Sequence, residues 1–167
     1  VGGSQNPNVL LSNSYYDTTT SGQGGYGISE TTSDLQSASL ASLGFDSTVW
    51  SNGSGLYPYL KSFFPKGVQA ISGTATTSSG ASAVNAAVSL YTGGNVFVSA
   101  YSGANGYYYA IVAPDTITSS TAIGGLLTLN CASSVSGLAY ANAPTLTSGN
   151  VTGVNIKPGL IGLTTDA

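Results

Sequence analysis

Histidine, arginine and methionine are absent from this 167-residue chain, cysteine and tryptophan occur once each, and only 5% of the residues are charged. Each shortage closes off some chemistry. Without histidine the commonest general base and metal ligand is missing. A single thiol, Cys131, can build neither a thiolate zinc cage nor an internal disulfide, and its setting in "GLLTLNCA" reads as a small buried side chain. No metal or other cofactor is expected. The side-chain cations are Lys61, Lys66 and Lys157 and the net charge is −3, so nothing here can neutralise a phosphate backbone, and nucleic acid is excluded as a partner. An ordinary soluble domain is about 25% charged. Here Ser, Thr, Gly, Ala and Asn take those places, which leaves little self-repulsion to oppose lateral association of copies. No apolar run reaches the roughly 18 to 20 residues of a membrane-spanning helix. The chain opens on Val with no basic segment ahead of an apolar run. It therefore reads as a mature or excised piece whose export signal, if it has one, lies outside it.

What is present is β-structure. Nearly every apolar run is short, rich in β-branched or aromatic residues, and bounded by Gly, Asn, Ser or Pro. The pattern predicts an all-β chain divided near Pro65-Lys66-Gly67, with one segment over 1–66 and a second domain over 67–167. The second part holds seven strand candidates: Val68–Ala75, Ala86–Tyr91, Val96–Tyr101, Tyr107–Ala113, Leu126–Cys131, Gly137–Ala141 and Val151–Ile156. Seven short strands with turn signals between them suggest a small two-sheet sandwich. The exception to the β pattern is "SDLQSASLASLG", which predicts a short helix with Ser33 as N-cap, Gln36 three residues on, and Gly44 just past its end. In "SGANGYYYAIVAP" the Asn105-Gly106 turn signal and Pro114 bound a strand. Alternation sends Tyr107, Tyr109 and Ile111 to one face and Tyr108, Ala110 and Val112 to the other. Neither face is polar. One is expected to fill the sandwich and the other to meet the first segment or a neighbouring copy.

Motifs that carry chemistry are few. "GQGGYG" over 22–27 satisfies G-x-G-x-x-G, but no helix opens at its last glycine and its surroundings are polar, so it reads as a connection. Asp17, Glu30, Asp34, Asp46 and Asp115 are carboxylates that a glycosidase would need in pairs. Glu30 and Asp34 flank the helix start, where negative side chains favour the helix dipole. A catalytic residue is not identified and the chain reads as a non-enzyme. Asn52-Gly53-Ser54 and Asn150-Val151-Thr152 are formal N-glycosylation acceptors. The aromatic stretch with Trp50, Tyr57, Tyr59, Phe63 and Phe64 has two readings, a plug sealing one end of a β-structure or a platform on which sugar rings stack.

The stretch "NSYYDTTTSGQGGYGISETTSDLQSASLASLGFDSTVWSNGSGLYPYLK", Asn13 to Lys61, resembles the last GLUG-type repeat of large secreted bacterial adhesins, the filamentous-haemagglutinin-like and autotransporter families. That resemblance implies a parallel β-helix, a β-solenoid-like segment. The chain carries one such repeat where about three are needed for stability, so the segment must lean on the second domain or on other copies. From Val68 to Ala113, "S-G-T" at 72–74, the strand Ala86–Leu90 and "N-G-Y-Y" at 105–108 resemble the carboxypeptidase-regulatory-like, or transthyretin-like, sandwich, which serves as a spacer or stalk. Pilin modules of similar build form Lys–Asn isopeptide bonds, and Lys66 and Asn155 have roughly that arrangement. The resulting expectation is an extracellular or cell-surface adhesin or fibre segment that forms homo-oligomers or filaments. Strand edges and aromatic surfaces would make the contacts, with Val9, Leu10 and Leu11 as a donated strand and Tyr107, Tyr108 and Tyr109 as an aromatic row. The alternative is a glycan-binding module in which Trp50, Tyr57 and Tyr59 stack on host or matrix sugars.

Overall fold

The computed structural model describes residues 12–22, 24, 27–118, 123–128, 136–141, 145–147 and 149–158. These residues are mostly β-strand with one short helix and no closed barrel. The strands are β1 (Tyr15–Asp17), β2 (Ile28–Glu30), β3 (Trp50–Gly53), β4 (Leu56–Leu60), β5 (Gln69–Thr74), β6 (Ala87–Thr92) and β7 (Asn95–Tyr101). They continue with β8 (Tyr107–Val112), β9 (Ile123–Thr128), β10 (Ser136–Ala141), β11 (Thr145–Thr147) and β12 (Asn150–Thr152).

Two four-stranded sheets form the body, in the orders β10-β9-β6-β7 and β11-β12-β5-β8. Their buried side chains join in one cluster: Val88 and Leu90 from β6 and Ile123 from β9 meet Ile71 from β5, Tyr108 and Val112 from β8, and Val151 from β12. Beyond residue 66 the described strands therefore number eight where seven are expected. The addition is β11, three residues long, too short for alternation to show. Two glycines set how closely neighbouring stretches approach, one within a sheet and one between the sheets. A Cβ on Gly73 would fall 2.0 Å from the Val154 carbonyl oxygen, where the chain after β12 runs alongside β5. A Cβ on Gly125 would meet Ile156 Cδ1 at 2.5 Å, so β9 is thinned at that point to admit the Ile156 side chain.

The last stretch runs parallel to β5. Val151 pairs with Ile71, and the N–H groups of Val154 and Ile156 donate to the carbonyls of Ser72 and Thr74 at 3.1 and 2.8 Å. Two buried amides fix this region. Gln69 donates to the carbonyls of Ile117 and Gly149, both at 2.8 Å, and accepts from the Ile117 N–H. Asn150 accepts from the Ala70 N–H at 2.9 Å and donates to the Ser54 carbonyl at 2.8 Å, tying the body to the turn of the β3–β4 hairpin.

In the first segment β1 and β2 pair in parallel over three residues, and β3 and β4 form an antiparallel hairpin. The helix, α1, spans Thr32–Ser37 and not the longer run expected from Ser33. Thr31 is its N-cap, closing a reciprocal pair with Asp34, two residues ahead of the Ser33 cap inferred from sequence. Ser39 then ends the run early, because its hydroxyl accepts from the Ser42 N–H at 3.1 Å and starts a separate turn. Leu35 on the helix and Leu43 in the turn beyond it are both buried.

Candidate functional site

Strand β8 is where the two parts of the chain meet. Its residues alternate between fully and partly buried. Tyr108, Ala110 and Val112 turn into the body, and the Tyr108 hydroxyl donates to the Val154 carbonyl there. On the opposite face, Tyr107 and Tyr109 are half-buried against the first segment. The Tyr107 hydroxyl accepts from Gln36 Nε2 at 3.2 Å, and the Tyr109 ring meets Tyr57 edge-to-face with centroids 4.8 Å apart. Ala104, in the β7–β8 turn, donates its N–H to the Thr20 carbonyl at 2.6 Å. The non-core face of the tyrosine strand is thus covered by the chain's own first segment.

Beside this seam lies an open groove of about 420 Å³ lined by Asp17, Asn85 and the tyrosines 57, 101, 107 and 109. Asp17 ends β1 and its carboxylate organises the rim. Oδ1 accepts from the N–H groups of Thr19 and Thr20 at 2.8 and 3.1 Å. Oδ2 accepts from the Thr32 hydroxyl at 2.6 Å and from the Tyr57 hydroxyl. Partial burial raises the carboxyl's tendency to hold a proton, but the hydrogen bonds from Thr32, Tyr57, Thr19 and Thr20 outweigh it and leave Asp17 below its ordinary 3.8. Burial and the Asp17 contact push the Tyr57 phenol well above its usual range. Burial takes Tyr109 up to about 12, with a smaller opposing pull from the Tyr57 backbone. The Tyr109 hydroxyl is the buried side-chain oxygen among the described residues that lacks a hydrogen bond of ordinary geometry. Tyr101, at the end of β7, stands 72% exposed on the groove's outer side.

The residues singled out from sequence are distributed unevenly over this arrangement. Tyr57, Tyr107 and Tyr109 come together in the groove, while Tyr108 serves the core. Trp50 pairs with Leu60, and Ser51 with Tyr59, across the hairpin, so Trp50 projects from the face opposite Tyr59, and a register shift between Ser51 and Gly53 breaks the alternation before Tyr57. Trp50 and Tyr59 thus stand on opposite faces of the hairpin. Trp50 stacks on Phe45 at 4.8 Å, and Tyr59 packs edge-on to Phe64 at 6.2 Å. The aromatics do not gather in a single plug, for Phe63 follows β4 in a turn and is 74% exposed. Val9, Leu10 and Leu11 lie outside the described residues. Asn155 Oδ1 is held by the Thr74 N–H and hydroxyl at 3.0 and 2.9 Å. The side-chain nitrogens of Asn52 and Asn150, the formal acceptor positions, donate within the fold, to the carbonyls of Ala38 and Ser54.

Sequence reasoning missed the roles of Asp17, Asn85 and Tyr101. A local signal existed only for Asp17, since Asp followed by a run of threonines is the composition of a turn capped by its own side chain. Among the described residues no group of three or more His, Cys, Asp or Glu side chains could hold a metal ion, and no helix is long and apolar enough to cross a membrane. Compared with family models, with curated proteins and with solved structures, the chain finds no match.

Proposed function

We propose that this chain is a segment of an extracellular adhesive or fibre-forming surface protein, working through surface contacts between copies and not through catalysis. Its body is read as an immunoglobulin- or transthyretin-like sandwich in a stalk role, braced by the adhesin-like first segment. The observation that carries the reading is the outer edge of β7. Among the described residues β7 pairs with β6 alone, and Asn95–Tyr101 contains no charge and no proline to discourage another strand from adding there. A bulge between the pairs Tyr91–Val96 and Leu90–Val98 twists its start, which leaves Val98 to Tyr101 as the regular, pairable part. The low charge of the chain adds little electrostatic opposition to such contacts.

Light scattering over a concentration series tests this reading. The wild-type mass should rise with concentration, and Ser99→Lys, which places a charge on an exposed position of that edge, should hold the protein as a monomer. A wild-type chain that stays monomeric at every concentration overturns it.

A further inference from the structure

We propose that β7 is the site at which two copies of this chain pair, antiparallel and about a two-fold axis through Ala100, so that their sheets run on across the contact. This pairing rests on the self-association read above and makes the partner strand β7 of a second copy.

The direction of the backbone groups along β7 follows from its last bonds to the neighbouring chain. The Ser102 N–H donates to the Ala86 carbonyl at 2.9 Å, and the Ser102 carbonyl accepts from the Asn85 N–H at 3.1 Å, so Ser102 faces inward. Successive residues of an antiparallel strand turn their N–H and C=O groups to opposite sides. Ala100 and Val98 therefore bond to β6, opposite Val88 and Leu90, while Ser99 and Tyr101 turn theirs to the open edge. Among the described residues no strand pairs on that side. The open run is bounded at both ends. Phe97 is the extra residue of the bulge between Val96 and Val98, and beyond Ser102 the edge is taken, since Ala104 donates to the Thr20 carbonyl at 2.6 Å. A strand that fits must be short and interrupted at one end, and β7 is both. A two-fold axis at Ala100 sets Ser99 against Tyr101 of the copy and Tyr101 against its Ser99, so each outward N–H and C=O of the run meets a partner. In the same register Gly103, where the edge closes, lies opposite the bulged Phe97 of the copy. The other edge of this sheet is a poorer match, because β10 pairs with β9 over Ser136–Ala141 without a bulge and its regular run would overshoot both ends. The side chains of β7 agree with the pairing. Ala100 is small enough for close approach on the axis, and Phe97 and Val98, packed on the core but only partly buried where the sheet stops, gain cover. Asn95–Tyr101 holds no charge that would meet its like across the contact.

The test is disulfide trapping of the full chain with Cys131 replaced by serine, at a concentration where light scattering shows association. Ala100→Cys should cross-link to itself, because directly opposed residues of a non-hydrogen-bonded pair have Cα atoms about 4.5 Å apart, within the span of a disulfide. Val98→Cys should cross-link at least about tenfold more slowly, since Val98 faces Ser102 of the copy and not its own counterpart. Two exposed positions give the same answer without touching the core side of the strand: Ser99→Cys mixed with Tyr101→Cys should yield the mixed dimer in preference to either homodimer. Association in which neither Ala100→Cys nor the mixed pair is trapped, or in which Val98→Cys is trapped as readily as Ala100→Cys, overturns this pairing and leaves the self-association standing. A wild-type chain that stays monomeric at every concentration overturns both.

Discussion

Removing the hydroxyl oxygen from Tyr108 and from Tyr109, neighbours on β8, is expected to shift stability in opposite directions. Tyr108 is 1% exposed and its hydroxyl donates to the carbonyl of Val154, itself buried. Tyr108→Phe leaves that carbonyl without this donor inside the body, which costs about 2 kcal/mol, mid-range for an orphaned buried polar group. Tyr109→Phe removes a buried hydroxyl whose neighbour, the Tyr57 backbone, does not reach it with ordinary hydrogen-bond geometry. The cost of desolvating it disappears, and the variant should gain about 1 kcal/mol. For a chain of this length 1 kcal/mol corresponds to about 2–4 °C in Tm, so the two variants should lie well apart on either side of the wild type. Urea unfolding followed by the fluorescence of Trp50 reads both, as shifts in midpoint at constant slope. Alkaline pH supplies a second readout. Burial raises the Tyr109 phenol from 10.0 to about 12, so the unfolded chain releases that proton first. Stability from this group is complete below pH 10 and is lost as the pH rises towards 12. Tyr109→Phe should therefore flatten the decline in that window. Loss of more than about 1 kcal/mol in Tyr109→Phe would refute the reasoning, because it would mean that the Tyr57 backbone makes a full hydrogen bond to this hydroxyl.

Two further outcomes follow from buried polar groups. Asp17 is held below 3.8 in the fold, so its contribution is present above that pH and is lost as acid takes the pH down through the folded value. Asp17→Asn should remove this acid dependence and cost about 1–2 kcal/mol at neutral pH, both measurable by urea unfolding over a pH series. Gln69→Leu should cost about 3 kcal/mol in the same assay, since it strands the Ile117 N–H and the carbonyls of Ile117 and Gly149, whereas a loss under about 1 kcal/mol would show that these groups find other partners.

The body strands were legible where local chemistry agrees with the tertiary result, whereas β9, expected to start at Leu126, starts at Ile123. At Asn105-Gly106, Gly106 takes φ +79° and Asn105 Oδ1 accepts from the Tyr107 N–H, so the turn ends where alternation on β8 begins. The expected strand Tyr107–Ala113 differs from the observed one by a single residue. Other features depend on partners distant in the chain. The helix start moved because Thr31 and Asp34 satisfy each other more completely than a Ser33 cap could. The Asp17 network draws donors from 15 and 40 residues away, and nothing local announces Thr32 or Tyr57. Gln69 and Asn150 look like surface amides in a chain full of Asn and Ser. Their burial appears only when β5 and β12 lie side by side. Tyr57, Tyr107 and Tyr109 could be named from their aromatic density, but their meeting is decided by how the hairpin docks on β8.

The parallel course of β5 and the chain through Ile156 also sets how the body bears force. Its first strand and its last described stretch lie side by side and point the same way, joined at Ser72–Val154 and Thr74–Ile156. Tension applied before Gln69 and after Lys157 pulls these neighbours past each other along their length, so the bonds between them share the load and must fail together. An antiparallel arrangement of the same two strands would peel open one bond at a time. In a tether under strain, the body's entry and exit strands would act as its clamp.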